Sequence, residues 1–116
     1  MGAGPGFLEE LIPAIATDVD IDNLRNAKGT KVLCSGDELP FKSGVFDCVF
    51  CVDTVHLLKS AKELERVAKG KLVLTAFCNE NNYLERTEWL KGLTKRKIEK
   101  ELLIKAETEW DAALVL

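Results

Sequence analysis

Two groups of residues near the start of the chain have types and spacing suited to holding a ligand. Gly2, Gly4 and Gly6 form a GxGxG pattern before a helical segment, so bare backbone N–H groups and a helix N-terminus could face a negative charge. Asp18 ends a short apolar segment, where a carboxylate could accept hydrogen bonds from both hydroxyls of a ribose. The alternative is structural: the glycines make a tight turn and Asp18 belongs to a capping or solvated acidic cluster.

A second set of candidates follows the most apolar segment of the chain, VFDCVFCV, at residues 45–52. Asp53 could orient a bound molecule or simply cap the helix that follows. His56 is the only histidine and could act as a general base, or it could be a partly buried structural residue. Cys48 and Cys51 have CxxC spacing, but residues three apart on a strand point to opposite faces, so we predict no metal site.

The elements that must position these residues alternate along the chain as strand and helix. This alternation predicts an α/β fold with a mostly parallel sheet, whose ligands bind at the carboxyl ends of the strands. The apolar run at 45–52 is typical of a central strand buried on both faces. Ser60 and Glu63 predict a capping box for the next helix, and Gly70 predicts its C-terminal end. Two closing strands are predicted within residues 102–116.

Composition narrows the class of protein. A chain of 116 residues with 47% hydrophobic and 30% charged residues suits one soluble domain, residues 1–116, and we expect it in the cytoplasm. The net charge of −3 argues against nucleic acid as a partner and favours a small molecule. No segment predicts a membrane span. Four cysteines within apolar runs indicate buried thiols in a reducing compartment, and the absence of glutamine weakly indicates a thermophile.

The middle of the chain resembles a known family. The segment DELPFKSGVFDCVFCVDTVHLL, followed by ELERVAKGKLVLTAF, is similar to the class I S-adenosylmethionine-dependent methyltransferases. In that family an LPF…FD segment leads into the fourth strand, and an E…RV…G helix leads into the fifth. The matching residues are Leu39, Pro40, Phe41, Phe46, Asp47, Glu63, Arg66, Val67 and Gly70.

The resemblance implies S-adenosylmethionine as cofactor and assigns a role to each candidate. It implies that Gly2, Gly4 and Gly6 lie under the methionine part, that Asp18 binds the ribose, and that Val19 flanks the adenine. Asp37 is expected near the adenine amino group. The residues after the fourth strand, which are expected to face the sulfonium and the methyl acceptor, are Val52, Asp53, Thr54 and His56.

The fold that the resemblance implies is a Rossmann-like, mostly parallel sheet flanked by helices. The family's first strand, which lies at the centre of the sheet, has no counterpart before Gly2. Three arrangements would resolve this: a longer natural chain, direct pairing of the second and fourth strands, or a second copy that supplies a strand or covers the edges. We expect direct pairing together with a homodimer.

The function implied is methyl transfer to a small, undetermined acceptor. Two alternatives come from other classes of protein. One is a shortened methyltransferase-like domain that has lost catalysis and serves as a binding or dimerisation module. The other is a nicotinamide-dependent oxidoreductase that uses the same glycine loop and acid, although the LPF…FD context argues against it.

Overall fold

A computed structural model describes residues 14–27, 29–107 and 109–116 of the chain. The predicted loop at Gly2, Gly4 and Gly6 therefore lies outside the described residues. In the parts described, no helix is long and apolar enough to cross a membrane. The strands are β1 Ala16–Asp18, β2 Lys31–Leu33, β3 Phe46–Val52, β4 Ala68–Cys78, β5 Lys100–Lys105 and β6 Trp110–Val115. The helices are α1 Ile21–Asn26, α2 Lys62–Val67 and α3 Tyr83–Gly92, and Val55–Leu57 form one 3₁₀ turn.

The strands of the described residues form two sheets, of which the larger is mixed in direction. β1 and β2 make a parallel pair, and the other four strands follow the order β3-β4-β6-β5. Within the larger sheet β3 and β4 are parallel, whereas β6 is antiparallel to both β4 and β5. The α/β prediction is confirmed, but the sheet is mixed and not mostly parallel. The reason is the short connection between β5 and β6, because strands joined by a few residues can only pair antiparallel.

The expected direct pairing of the strands on either side of the first-strand position is wrong. Those strands are β1 and β3, and among the described residues they belong to separate sheets. β1 contributes only three residues and makes its ladder with β2, extended by hydrogen bonds from Ala16 N to Thr30 O and from Cys34 N to Asp18 O. A strand of three residues can form only a few ladder hydrogen bonds. These would not offset the conformational entropy that would be lost if β1 and β3 were joined in one sheet.

Strand β3 is not the doubly buried central strand that its apolar run predicts. Its side chains alternate, with Val49 and Cys51 buried and Cys48 and Val52 exposed. It is also the terminal strand of the four-stranded sheet as described. Cys48 therefore contradicts the expectation that all four thiols are buried, whereas Cys51 and Cys78 confirm it.

The core lies on one face of the four-stranded sheet. Leu74 on β4 stands between Cys51 on β3 and Leu114 on β6, and all three are 0% exposed. Leu64 on α2 and Leu90 on α3 join the same cluster and cover this face. A single well-packed face therefore holds β3, whose carboxyl end carries Val52 and leads into Asp53, whereas Asp18 ends β1 in the other sheet.

The predicted C-cap role of Gly70 is also wrong. Helix α2 ends at Val67, strand β4 starts at Ala68, and Gly70 lies inside the strand. The register of β3 on β4 shifts between Phe46 and Cys48, which brings the carbonyl oxygen of Asp47 against the α-carbon of Gly70. A β-carbon at this position would overlap with that backbone oxygen, so glycine is required for close approach of two strands.

Replacing Gly70 by alanine is expected to lower the free energy of unfolding by about 1–3 kcal/mol, since backbone must move to admit the methyl group. Gly92 is the matched control, because it ends α3 with open space around its α-carbon. Gly92→Ala should leave stability unchanged or raise it by up to about 1 kcal/mol. Urea unfolding followed by tryptophan fluorescence measures both variants, and equal stabilities of the two would contradict the steric explanation.

Candidate active site

The first part of the site is the turn after β1. Asp18 ends the strand and is only 7% exposed. Its carboxylate accepts a hydrogen bond from Asp20 N at 3.0 Å and faces the amide nitrogen of Asn23 at 3.5 Å. Val19 follows with 63% of its surface exposed. The sequence therefore places a nearly buried carboxylate beside an exposed apolar side chain at the carboxyl end of a parallel strand.

Asp37 connects two loops. Its Oδ1 accepts hydrogen bonds from the backbone nitrogens of Lys59, at 2.8 Å, and Ser60, at 3.4 Å. The backbone N–H of Asp37 in turn donates to the hydroxyl of Ser35. Asp37 thus ties the loop after β2 to the loop after the 3₁₀ turn, three residues beyond His56.

Arg66 holds the LPF segment, residues 39–41, in place. Glu63 takes part in this contact and does not form the predicted capping box. Glu63 accepts from Leu39 N at 3.1 Å and from Arg66 Nε at 2.5 Å, so it does not cap α2 as predicted. The guanidinium donates to the carbonyl oxygens of Leu39 at 2.9 Å and Phe41 at 2.8 Å. Hydrogen bonding to Arg66 lowers the pKa of Glu63. This fork fixes the path of the chain from the Asp37 loop into β3.

The second part of the site is the residue that ends β3. Val52 is 41% exposed, and Asp53 follows it with a φ of 55°, in the left-handed region that non-glycine residues seldom occupy. The Asp53 N–H donates to the Thr75 hydroxyl at 3.1 Å, and that hydroxyl donates to Asp53 Oδ1 at 3.0 Å. Asp53 therefore does not cap the 3₁₀ turn. It is fixed onto β4, and such strained residues are common at functional sites.

A further carboxyl group, Asp111, faces Asp53 from β6. Asp111 pairs with Phe77 near the carboxyl end of β4, and its Oδ1 is buried without a hydrogen-bond partner. Burial, followed by hydrogen bonding and charge repulsion from Asp53, raises the pKa of Asp111 from 3.8 to about 6. This residue was not among those predicted from the sequence. Its signal was a charged residue within the otherwise apolar closing strand WDAALV.

The raised pKa makes stability depend on Asp111. A folded-state pKa above the unfolded value means that the proton stabilises the fold below about pH 4 and that this stabilisation is lost as pH rises through about 6. Asp111→Asn is therefore expected to be more stable than the parent protein at pH 7.5, by about 1 kcal/mol once solvent screening is allowed for. At pH 4 thermal unfolding should give equal stabilities. A variant less stable than the parent at both pH values would contradict this sign.

His56 lies on the 3₁₀ turn with its side chain exposed, so the alternative of a partly buried structural histidine is wrong. The structure places Asp53 and His56 in the loop that directly follows Val52, the last residue of β3, and joins Asp37 to the end of that loop. Burial raises the pKa of the Cys51 thiol, so this side chain is a poor nucleophile near neutral pH.

Comparison with known proteins identifies the family. A model described as "Methyltransferase domain" matches residues 1–74, more than half of the chain. The chain belongs to the methyltransferase domain family. The resemblance drawn from the LPF…FD and E…RV…G segments is thereby confirmed. A search of curated proteins found no significant match.

Solved structures of similar fold include three prokaryotic proteins. An S-adenosylmethionine-dependent methyltransferase of Aquifex aeolicus is 18% identical with a TM-score of 0.69, and the match covers 98% of this chain and 78% of that one. The PH0226 protein of Pyrococcus horikoshii is 15% identical with a TM-score of 0.65, covering 97% and 78%. A protein of Anabaena variabilis, described as a methyltransferase from an antibiotic biosynthesis pathway, is 18% identical with a TM-score of 0.66, covering 90% and 57%.

This methyltransferase domain implies S-adenosylmethionine as its cofactor. The described residues fit that molecule. Asp18 offers a carboxylate for ribose hydroxyls, and the exposed apolar surfaces of Val19 and Ile21 are suited to a purine ring. Val52 and Asp53 offer an apolar surface and a fixed carboxylate at the end of β3.

Proposed function

We propose that this methyltransferase domain transfers a methyl group from S-adenosylmethionine to a small-molecule acceptor. The observation that carries the proposal is the nearly buried carboxylate of Asp18 at the carboxyl end of β1, next to the exposed Val19. A ligand with vicinal hydroxyls and a flat apolar ring complements this pair. A purely structural turn would not need a nearly buried carboxylate, because burying a charged group costs free energy.

Each candidate residue has a role in this proposal. Gly2, Gly4 and Gly6 carry the methionine part of the cofactor, Asp18 the ribose, and Val19 the adenine. Asp37 lies near the adenine amino group and orders the loop beside it through Lys59 and Ser60. The residues assigned to the methyl-transfer end are Val52, Asp53 and His56.

The bound cofactor supplies a methyl group on a positively charged sulfonium. The protein's main task is then to align the acceptor with that group, which requires positioning more than acid–base chemistry. Asp53 is suited to it, because the Thr75 hydroxyl and the left-handed backbone hold its carboxylate in one place. His56 is exposed in the same loop and is the side chain available there as a general base.

A small acceptor is favoured by two observations. The net charge of −3 provides no field that would attract nucleic acid. Among proteins of similar fold, the one from Anabaena variabilis is described as a methyltransferase from an antibiotic biosynthesis pathway.

Calorimetric titration of the 116-residue chain with S-adenosylmethionine and S-adenosylhomocysteine tests the proposal, with nicotinamide dinucleotide as the ligand of the oxidoreductase alternative. Micromolar binding of the two sulfur compounds, with no binding of the dinucleotide, is the expected result. Binding of the dinucleotide alone would replace methyl transfer by hydride transfer. Absence of binding from a chain shown to be folded by circular dichroism would refute the proposal.

A second candidate is a methyltransferase domain that binds its ligands without turnover. The separation of the β1–β2 pair from the four-stranded sheet favours it, since Asp18 and Asp53 then lie on different sheets. The segment that leads from β2 to β3 is held to α2 by contacts such as the hydrogen bond from Arg66 to the carbonyl oxygen of Leu39. Cofactor binding without methyl transfer to a panel of small amines, phenols and thiols would support this candidate over the first.

We further propose that residues 1–116 act as one domain, that the protein is cytoplasmic and that it forms a homodimer, as expected of a sheet with open edges. A thermophilic source remains a proposal from composition alone. Light scattering during size-exclusion chromatography decides the oligomeric state. A mass near twice 12.9 kDa is expected, and a monomer mass over the micromolar range would refute the dimer.

A further inference from the structure

Two carboxyl groups, those of Asp53 after β3 and Asp111 at the start of β6, face each other. The role proposed for Asp53 does not explain why Asp111 is there. β6 runs antiparallel to β4, so its first residues lie at the carboxyl end of β4, at the edge where Asp53 ends β3. The Thr75 hydroxyl donates a hydrogen bond to the Asp53 carboxylate. Asp111 approaches from the neighbouring strand, with one buried oxygen that no other group satisfies.

The charges around the pair allow it to hold a proton. Asp53 and Glu109 both add negative charge at Asp111. Burial raises the pKa of the Cys78 thiol on β4. The charges of Asp111 and Asp53 also raise this pKa, whereas Arg86 on α3 lowers it. Lys105 of β5 lies over the Trp110 ring, 4.8 Å from its centroid. Two carboxylates that repel each other in a partly buried position favour a state in which one proton is held between them.

We propose that Asp111 is a positioning residue that shares a proton with Asp53, so that the pair takes up the proton an O–H or N–H methyl acceptor loses. This inference rests on the proposed function. In the transfer, the acceptor's lone pair forms the bond to the methyl carbon while the carbon–sulfur bond breaks with its electrons left on sulfur. The acceptor's proton passes to the Asp53 carboxylate, and Asp111 then shares it.

The arrangement selects for acceptors that carry a removable proton. A carboxylate that acts as a base needs to be ionised in part near neutral pH and to be held still, and the pair provides both properties. The pKa of Asp111, about 6, lies within reach of physiological pH. An acceptor without a proton on its reacting atom, such as a tertiary amine or a thioether, would make no use of the pair.

The test measures protons released on ligand binding and needs no acceptor. S-adenosylmethionine carries a positive sulfonium, whereas S-adenosylhomocysteine has a neutral thioether, so only the first should drive a proton off the pair. Titration at pH 6.0 in two buffers of different ionisation enthalpy gives the number released. Because this pH is close to the pKa of Asp111, up to about half a proton is expected with the sulfonium compound and almost none with the thioether.

Two variants make the test specific. Asp111→Asn should bind both compounds and lose the difference in proton release. Glu109→Gln, which removes a charge two residues away on an exposed side chain, should keep it. Equal release with the two compounds, or an unchanged difference in Asp111→Asn, would overturn the role of Asp111 while leaving methyl transfer intact. Binding of neither compound would overturn the proposed function and this inference with it.

Discussion

Replacing Asp18 by alanine is expected to weaken S-adenosylmethionine binding roughly 10- to 100-fold, as measured by calorimetric titration. A hydrogen bond to a charged group contributes about 1.5–3 kcal/mol, and each 1.4 kcal/mol is about tenfold in affinity. The carboxylate of Asp18 is 7% exposed at the end of β1, where it can meet the two ribose hydroxyls without first being ordered. Asp18→Asn keeps the shape of the side chain and loses its charge. Its affinity for S-adenosylmethionine should therefore lie between those of the parent protein and Asp18→Ala.

A control is needed because Asp18 also orders its own turn, by accepting from Asp20 N and facing Asn23. Asp20→Ala provides it. Asp20 is the N-cap of α1 and accepts from Asp22 N, so its loss weakens the same turn while leaving the Asp18 carboxylate in place. The expected cost is about 0.5–2 kcal/mol of stability with affinity retained. If Asp20→Ala loses affinity as much as Asp18→Ala, the turn and not the carboxylate binds the cofactor.

Replacing Leu74 by alanine is expected to lower the free energy of unfolding by about 2–5 kcal/mol. Leu74 is fully buried between Cys51 and Leu114, at the middle of the strand that joins the parallel and antiparallel parts of the sheet. A cavity there has no flexible neighbour to fill it, because both strands beside it are fixed by ladder hydrogen bonds. Total stabilities of domains are about 5–15 kcal/mol, so this one change removes a large part.

Leu102→Ala is the matched control for Leu74→Ala. Leu102 lies on β5 in the same sheet, but 48% of its surface is exposed, so its truncation should change stability by about 0.5 kcal/mol or less. Urea unfolding followed through Trp89 and Trp110 measures both variants. Similar losses for the two would show that the exposed face of the sheet is covered in solution, and would support the proposed homodimer.

Much of the site could be predicted because its residues lie where local pattern decides structure. Asp18 and Asp53 each follow directly on an apolar strand, and the ends of strands are visible in the sequence as a change from apolar to polar residues. The two closing strands were likewise predicted, within residues 102–116.

The predictions that failed concern partners distant in sequence. Glu63 and Gly70 both fit local capping rules, yet Glu63 accepts a hydrogen bond from Leu39 N, 24 residues earlier, and Gly70 lies within β4 against Asp47. A capping box gains about as much as any single hydrogen bond, so a charged fork that satisfies several carbonyl oxygens outweighs it. Local rules cannot anticipate this, because the competing group arrives only when the chain folds.

The sequence by itself determined the methyltransferase family, the order of strands and helices, and the acidic residues at the carboxyl ends of β1 and β3. Only the tertiary structure decided that the sheet is mixed and divided in two, and that Asp111 faces Asp53. The physical reason is that strand direction, pairing and the meeting of two carboxyl groups depend on contacts between segments far apart in the chain. Asp53 and Asp111 lie far apart along the chain, and no pattern around either residue indicates the other.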